Sequence, residues 1–253
     1  MYISRDFIIE SLKKGLEDCS YVNAFWLEGS DGTGKLDEFS DLDIVLNVAD
    51  GFEEQALQQL EALLAAIGPL DLNYKEYKND QQSYTVFHLL NTADSLFLDV
   101  SIQSQSHKYT FLREDTSVIP KVIFDKIGII QYESLNQDKL HNQIQERLYH
   151  LENTFKQRGR AIKYAKRNKF LEAFAYYQKF VLTPLVELLR IKYAPIHYDY
   201  YLVQASRQLP VEVLDRLEHL YKVNSVTDIE AKIEIAARLF DQTLCEMNSS
   251  NHE

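Results

Sequence analysis

The spacing of apolar residues in the first half of the chain predicts strands combined with helices. The run Ala24–Leu27 is typical of a buried strand, and a second strand is predicted from Leu42 to Val48. Apolar residues recur at helical spacing from Phe52 to Ile67, and Ser4 is placed to cap a short helix. Three more strands are predicted, at residues 71–77, 84–90 and 96–102. This order of elements indicates a domain built around one sheet.

The second half of the chain has helical spacing throughout. Intervals of three and four between apolar residues predict four helices, whose first apolar positions are Ile144, Phe170, Val213 and Ile229. Pro184 is expected to kink the second helix because it cannot donate a backbone hydrogen bond, and Pro210 fits the first residue of the third. Four helices of this kind are typical of a bundle.

A cluster of polar residues from Tyr132 to Asp138 marks the predicted boundary between the two halves. We therefore expect an α+β chain, with a mixed-sheet domain at residues 1–134 and an all-α helical bundle at residues 135–253. The last residues, 248–253, are expected to fray.

The chain is acidic, and the acidity belongs to its first half. It has 27 basic and 38 acidic residues, a net charge of −11, and residues 1–130 alone sum to −12. This balance argues against a protein that coats long nucleic acid, because phosphate binding needs a cationic surface. Nucleic acid is therefore not an expected partner.

Several other classes of protein are disfavoured by the sequence. No apolar run reaches the length that a membrane helix needs, and the first residues do not have the pattern of a signal peptide. The two cysteines, Cys19 and Cys245, are far apart and form no metal-ligand spacing, so neither a disulfide scaffold nor a zinc module is expected. A protein of the reducing cytoplasm is the expectation.

A group of carboxylates follows a glycine-rich segment near the start of the chain. Asp41 and Asp43 are two residues apart, so on a strand they project to the same side. Two such carboxylates repel each other unless they lie in solvent or hold a divalent cation, and oxygen ligands favour Mg²⁺. Gly29 and Ser30 directly follow a predicted strand, where a backbone without a side chain can approach phosphate. A phosphate-binding loop beside a metal site would serve phosphoryl or nucleotidyl transfer; the alternative is a solvated turn.

The joint pattern resembles the signature of the polymerase-β-like nucleotidyltransferase superfamily. It consists of an apolar strand, Gly29-Ser30, about ten residues, Ser40-Asp41-x-Asp43 and a second apolar strand. The resemblance is closest to the bacterial aminoglycoside and lincosamide nucleotidyltransferases.

The resemblance implies a third carboxylate on a later strand. Asp99, the single acid within the apolar segment 96–102, fits this position, and Asp94 is the second candidate. Residues 122–126 resemble the Asp-Lys segment that closes the catalytic domain in such enzymes, and the segment from Phe170 to Arg190 resembles their substrate-side helix. The loop departs from the family pattern, since Thr33 and Gly34 stand where an Arg is common. Lys35 is the candidate to replace that cation.

The activity implied by the resemblance is transfer of a nucleoside monophosphate from ATP or another NTP to a hydroxyl of a small molecule, with release of pyrophosphate. An aminoglycoside-like antibiotic is the leading acceptor, two Mg²⁺ ions are the implied cofactors, and the site would lie between the two domains, in a monomer or a homodimer. The implied metal ligands are Asp41, Asp43 and Asp99. Asp99 or Glu172 would take the acceptor proton. The implied nucleotide-binding residues are Gly29, Ser30, Lys35, Ser40 and Lys126.

Two other features leave alternatives open. The seven cations between Lys156 and Lys169 form either a solvated helix face or a contact to triphosphate. Arg190 and His197 have a spacing seen in helical ribonuclease toxins, although one Arg and one His often occur so by chance. The chain could therefore also be a nucleotide-binding regulator without catalysis, or a toxin–antitoxin-like fusion that acts on protein or RNA.

Overall fold

Strands and helices are segregated along the chain. The computed structural model describes residues 3–78 and 82–250. The chain divides into two compact units, Met1–Leu135 and Asn136–Glu253. The first contains the strands and the second is helical, so the α+β class predicted from the sequence is confirmed. None of the described helices is both long and apolar enough to span a membrane.

The first unit combines eight described strands with three helices. In chain order these are α1 (Arg5–Glu17), β1 (Val22–Leu27), α2 (Gly29–Thr33), β2 (Leu42–Val48), α3 (Glu53–Ile67), β3 (Leu70–Lys78), β4 (Gln82–Leu89), β5 (Leu98–Ser104), β6 (Thr110–Leu112), β7 (Lys121–Asp125) and β8 (Gln131–Glu133). Ser4 caps α1 as predicted, since its side chain accepts a hydrogen bond from the backbone N–H of Phe7 at 3.3 Å.

Six of these strands form one mixed sheet in the order β3-β4-β5-β2-β1-β7. The pair β2 and β5 is parallel, and the other four pairs are antiparallel. The strands β6 and β8 form a separate parallel pair.

Different parts of the chain pack against the two faces of the sheet. Alternate residues of the central strands, such as Leu42, Ile44, Leu98 and Val100, are fully buried in a core with α1 and α3. On the opposite face, Trp26 and Val45 pack with Phe111 and neighbouring residues of the later segment in a smaller cluster. The carboxylates Asp43 and Asp99 alternate with the core residues and therefore belong to this second face.

The second unit is built from helices around its own core. They are α4 (Gln137–Phe155), α5 (Gly159–Lys166), α6 (Phe170–Tyr177), α7 (Thr183–Tyr193), α8 (Ala205–Gln208), α9 (Val211–Tyr221) and α10 (Val226–Ser250). Short 3₁₀ turns at Lys156–Arg158 and Pro195–His197 join some of them. Asn136 caps α4 by accepting a hydrogen bond from the N–H of Lys139 at 2.9 Å.

Pro184 interrupts the second predicted helix, as the sequence indicated. A π-helical turn at Gln178–Leu182 separates α6 from α7, and Pro184 is the second residue of α7. A wider turn here is consistent with a proline whose missing N–H and bulky ring disrupt the normal α-helical pattern.

Four predictions differ from the structure in detail. The strands β6, β7 and β8 were not predicted, because segments of three to five residues show too little alternation to be recognised. The bundle has more helices than the four predicted, since α5 follows a 3₁₀ turn, α6 and α7 are separate, and the short helix α8 precedes α9. Pro210 precedes the first residue of α9 and does not form it. The end of the chain is helical to Ser250, and the rest of the predicted frayed segment lies outside the described residues.

Candidate active site

The parallel pairing of β2 with β5 brings the predicted carboxylates together. Asp43 and Asp99 are direct register partners, and Asp41 lies just before β2. Neighbouring strands are about 4.8 Å apart, so the Asp43 and Asp99 side chains lie beside each other on one face of the sheet. The backbone N–H of Phe97 donates to Oδ1 of Asp41 at 3.3 Å, which ties Asp41 to the residues that lead into β5.

Burial, together with the close approach of the carboxylates, raises the pKa of two of them. Burial, followed by the charges of Asp99, Asp41 and Asp31, raises the pKa of Asp43 to about 6. Burial and the charge of Asp99 also raise the pKa of Asp41. Mutual repulsion of this kind is what a bound cation would relieve.

Asp99 is held by a tyrosine of the neighbouring strand. The hydroxyl of Tyr84 donates a hydrogen bond to Oδ1 of Asp99 at 2.7 Å. The interaction fixes one oxygen of the carboxylate. Burial and the proximity of Asp99 raise the pKa of Tyr84 above its ordinary value, so the hydroxyl keeps its proton and remains a donor.

Gly29 lies directly against the Asp43 carboxylate. Its φ is +58°, and a Cβ placed on it would lie 1.9 Å from Oδ2 of Asp43. A side chain is therefore excluded by space as well as by backbone conformation. The glycine begins the single turn of α2, which ends at Gly34 in the left-handed conformation.

The remaining loop residues have different environments. Ser30 lies in α2 and is partly buried, whereas Lys35 is exposed beyond Gly34. The hydroxyl of Ser40 donates to Oδ1 of Asp37 at 2.9 Å and accepts from the Asp37 N–H at 3.0 Å, so it braces the turn before Asp41.

Asp31 is a buried carboxylate of this loop that forms ion pairs with α1 and β7, and the sequence pattern did not single it out. Its carboxylate, 2% exposed, pairs with the guanidinium of Arg5 and with Nζ of Lys121 at 3.1 Å. The Arg5 guanidinium also donates to the carbonyl oxygens of Ser40 and of Asp41, the latter at 2.6 Å. One side chain of α1 thus connects the start of the loop to its end.

Glu28 is a further carboxylate beside the cluster that sequence reasoning missed. Its Oε1 accepts a hydrogen bond from the indole N–H of Trp26 at 2.8 Å. Burial raises the pKa of Glu28, and the charge of Asp43 raises it further, against the lowering effect of the Trp26 hydrogen bond. Its position between Trp26 and Gly29 was visible in the sequence, but nothing in the pattern connected it to Asp43.

Two predicted site residues are not brought to the cluster within the first unit. Lys126 lies at the other end of β1, where its N–H donates to the carbonyl of Asn23 and its Nζ to the carbonyl of Cys19. The length of β1, about 20 Å for its six residues, separates it from Gly29. Lys121 is the register partner of Leu27, so this basic residue of β7 lies at the end of β1 that leads to Gly29.

Glu172 belongs to the second unit, where it is exposed in the first turn of α6.

The donor set fits a hard divalent cation. Asp41, Asp43 and Asp99 offer carboxylate oxygens, and Arg5, whose charge acts on Asp41 and Asp43, is engaged by Asp31 and by backbone carbonyls. Within the described residues, no three His, Cys, Asp or Glu side chains are grouped closely enough to hold a metal ion by themselves. Mg²⁺ usually takes only one or two protein carboxylates together with substrate phosphates and water, so Asp41 and Asp43 suit a metal that arrives with a nucleotide.

Arg190 and His197 lie in the helical unit, where the hydrogen bonds of Arg190 give it a structural role. The Arg190 guanidinium is fully buried and donates to the carbonyl oxygens of Tyr201, Val203 and His197 and to the side chain of Gln208. It therefore fixes the segment after α7, which does not favour the nuclease interpretation. Glu187 is likewise engaged, by Arg147 through two hydrogen bonds.

The basic segment from Lys156 to Lys169 lies on and around α5. Its guanidinium and ammonium groups are mostly exposed, and some lie over aromatic rings, with Arg160 5.5 Å from the ring centre of Phe180 and Arg167 5.7 Å from that of Tyr164. These contacts are compatible with a solvated helix face, and a role toward triphosphate stays a prediction.

Comparison with known proteins finds similarity only among solved structures. No protein-family model and no curated protein matches the chain. An aminoglycoside 6-adenyltransferase from Bacillus subtilis is similar over 95% of this chain and 89% of its own, with 15% identity and a TM-score of 0.36. Spectinomycin adenyltransferase AAD(9) from Enterococcus faecialis, solved with ATP and spectinomycin, is similar over 94% of this chain and 100% of its own, with 13% identity and a TM-score of 0.38.

A third solved structure, JHP933 from Helicobacter pylori, is similar over 98% of this chain and 95% of its own, with 12% identity and a TM-score of 0.29. Because these TM-scores are below 0.5, the function proposed next depends on the residues of the chain itself.

Proposed function

We propose that this protein is a metal-dependent nucleotidyltransferase. It would move a nucleoside monophosphate, with AMP as the leading candidate, from an NTP to a hydroxyl of a small molecule and release pyrophosphate. The observation that carries the proposal is the register of β2 with β5, which puts Asp43 beside Asp99 and next to the side-chain-free backbone of Gly29. Carboxylates beside a turn without a side chain, at one end of neighbouring strands, suit transfer at phosphorus.

The roles of the residues follow from their positions. Asp41 and Asp43 would hold Mg²⁺, which when bound would neutralise charge on the phosphates. The backbone of Gly29 and the hydroxyl and N–H of Ser30 would bind phosphate oxygens, because this turn directly faces the Asp43 carboxylate. Arg5 and Asp31 would keep the turn in place.

Asp99 is the proposed proton acceptor. A hydroxyl oxygen of the acceptor forms a bond to the α-phosphorus, the bond from that phosphorus to the bridging oxygen of pyrophosphate breaks, and the hydroxyl proton passes to Asp99. Tyr84 holds one oxygen of Asp99, which leaves the other directed toward substrate. Glu172, the other candidate base, would have to act from the helical unit.

The acceptor is proposed to be a hydroxylated, antibiotic-like small molecule. The spectinomycin adenyltransferase among the similar structures was solved with ATP and spectinomycin, so the same compounds are the first to try here. The net charge of the first half of the chain, −12 over residues 1–130, would favour a cationic acceptor by long-range attraction.

A pyrophosphate-release assay tests the function. Wild-type protein with Mg²⁺ and ATP is screened against aminoglycosides, spectinomycin and lincosamides, and acceptor-dependent release is expected for at least one. Asp43→Asn should lower that rate by at least about a hundredfold, because removal of a metal-binding carboxylate costs transition-state stabilisation.

Asp241→Asn, an exposed carboxylate of α10, is the matched control and should retain wild-type activity. ATP binding without turnover for any acceptor would instead indicate a nucleotide-binding regulator. Equal activity of Asp43→Asn and wild type would contradict the proposed site.

A further inference from the structure

Exposed aromatic side chains lie on the sheet near the carboxylate cluster. Tyr74 is 56% exposed on β3, which is the edge strand of the sheet. Tyr77, also on β3, is 52% exposed. A large aromatic ring that remains this exposed next to a candidate active site is a possible contact surface for a ligand.

The strand register connects Tyr74 to the catalytic carboxylates. Tyr74 is the partner of Val86, Val86 is the partner of Asp99, and Asp99 is the partner of Asp43. The four residues therefore form one row across β3, β4, β5 and β2. We refer to this set as the Tyr74 row.

Neighbouring contacts show which face of the sheet the row occupies. The residues on either side of Tyr74 face α3, since Asn73 donates to Glu61 at 2.7 Å and Lys75 pairs with Glu54 at 2.9 Å. Successive side chains of a strand alternate between faces, so Tyr74 projects away from α3. Asp43 and Asp99 also project away from the core that α3 helps to form.

The spacing of the row suits a substrate ring. Strands are about 4.8 Å apart, so the base of Tyr74 lies about 10 Å from that of Asp99, with Val86 between them. A ring that rests on Val86 and the tyrosine face would have its edge, and a hydroxyl on that edge, at the Asp99 carboxylate.

The nucleotide and the acceptor would bind on opposite sides of Asp99. Gly29 and the turn that would hold phosphate are on the β1 and β2 side of Asp43. The Tyr74 row extends to the β4 and β3 side. Attacking and leaving oxygens lie roughly in line during phosphoryl transfer, so an acceptor must come from the side opposite the departing pyrophosphate.

We propose that Tyr74 and Val86 form the platform on which the acceptor ring lies, so that they help determine which acceptors are used. The substrate class is a rigid ring compound that carries a hydroxyl on its edge and an apolar ring face for stacking. This inference rests on the proposed nucleotidyltransferase function and adds an acceptor subsite to it.

Steady-state kinetics of Tyr74→Ala test the platform. Pyrophosphate release is measured with Mg²⁺ and ATP, using whichever aminoglycoside, spectinomycin or lincosamide gives turnover with wild type. Loss of the ring should raise KM for the acceptor about tenfold or more, as for other stacking contacts, and leave KM for ATP unchanged. Tyr74→Phe keeps the ring and should retain the wild-type KM.

Two controls separate recognition from loss of structure. Tyr149→Ala removes a ring that is 67% exposed on α4 and should leave both KM values unchanged. Thermal unfolding of Tyr74→Ala should match wild type within a few degrees, because the ring is largely in solvent.

The possible outcomes distinguish this inference from the function on which it rests. An unchanged acceptor KM in Tyr74→Ala overturns the platform and leaves the nucleotidyltransferase intact. A raised KM for ATP with an unchanged acceptor KM also overturns it, because the row would then bind the nucleotide. Failure of wild type to release pyrophosphate with any acceptor overturns the function first, and the platform with it.

Discussion

At the scale of single residues, Gly29 is the position where the chain tolerates least change. Its backbone has a positive φ, and its Cα lies where any side chain would meet the Asp43 carboxylate. Gly34 in the same loop also has a positive φ, of +68°, but a Cβ there would have no atom within 4 Å. A substitution at Gly34 therefore introduces backbone strain alone, whereas one at Gly29 also introduces a steric conflict with Asp43.

We expect Gly29→Ala to abolish activity and Gly34→Ala to reduce stability alone. Left-handed backbone costs a non-glycine residue about 1–2 kcal/mol, so Gly34→Ala should lose about that much free energy of unfolding and Gly29→Ala at least that much. Gly29→Ala should lose more, because Asp43 or the turn must move. Denaturant unfolding and pyrophosphate release measure the two effects. Equal activity of the two variants would show that the contact with Asp43 is unimportant.

At the scale of elements, α1 is joined to the site by Arg5. Its guanidinium bridges the buried Asp31 carboxylate and the carbonyls of Ser40 and Asp41, and the Arg5 side chain itself is only 20% exposed. The helix thus holds both ends of the loop that carries the site, although it contributes no residue to the carboxylate cluster.

Arg5→Met should lower both stability and turnover. Loss of hydrogen bonds to a charged, buried partner is expected to cost about 2 kcal/mol, since Lys121 still pairs with Asp31. Lys75→Met removes the exposed pair between β3 and α3 and should cost less than about 1 kcal/mol. Urea denaturation compares the two variants, and a similar loss in both would contradict the special role of Arg5.

The sequence indicated the candidate carboxylates of the site better than the contacts that hold the site in place. Asp41 and Asp43 were visible from their spacing. Asp99 was implied by the family resemblance and supported by its isolation within an apolar strand. Asp31 was not visible, because its partners are 26 and 90 residues away in sequence. The prediction of Lys126 came from resemblance to a segment, whereas the register of β7 with β1 puts Lys121 near Leu27.

At the scale of the whole molecule, the first unit concentrates negative charge around the proposed metal site. Asp41, Asp43, Asp99 and Glu28 lie near one another, and the charge of Asp31 also raises the pKa of Asp43. Such repulsion destabilises the folded protein without metal, so site function and stability oppose each other in this unit.

Metal binding should therefore stabilise the protein measurably. With EDTA at pH 7.5 we expect Asp43→Asn to melt at a higher temperature than wild type, because one repulsive charge is removed. Added Mg²⁺ with ATP should raise the Tm of wild type and leave that of Asp43→Asn nearly unchanged, since only a bound ligand shifts the unfolding equilibrium. The same increase in both proteins would place the metal elsewhere.

The parallel pairing of β2 with β5 has a consequence for how the protein folds. Leu42 pairs with Leu98, and α3, β3 and β4 all lie in the chain between them. The two carboxylates meet only after this long segment has closed, and closure of long loops slows folding because its entropy is lost before the contacts form. Local hairpins such as β3 with β4 can form without it. A newly made chain would thus gain much of its secondary structure before Asp43 and Asp99 came together.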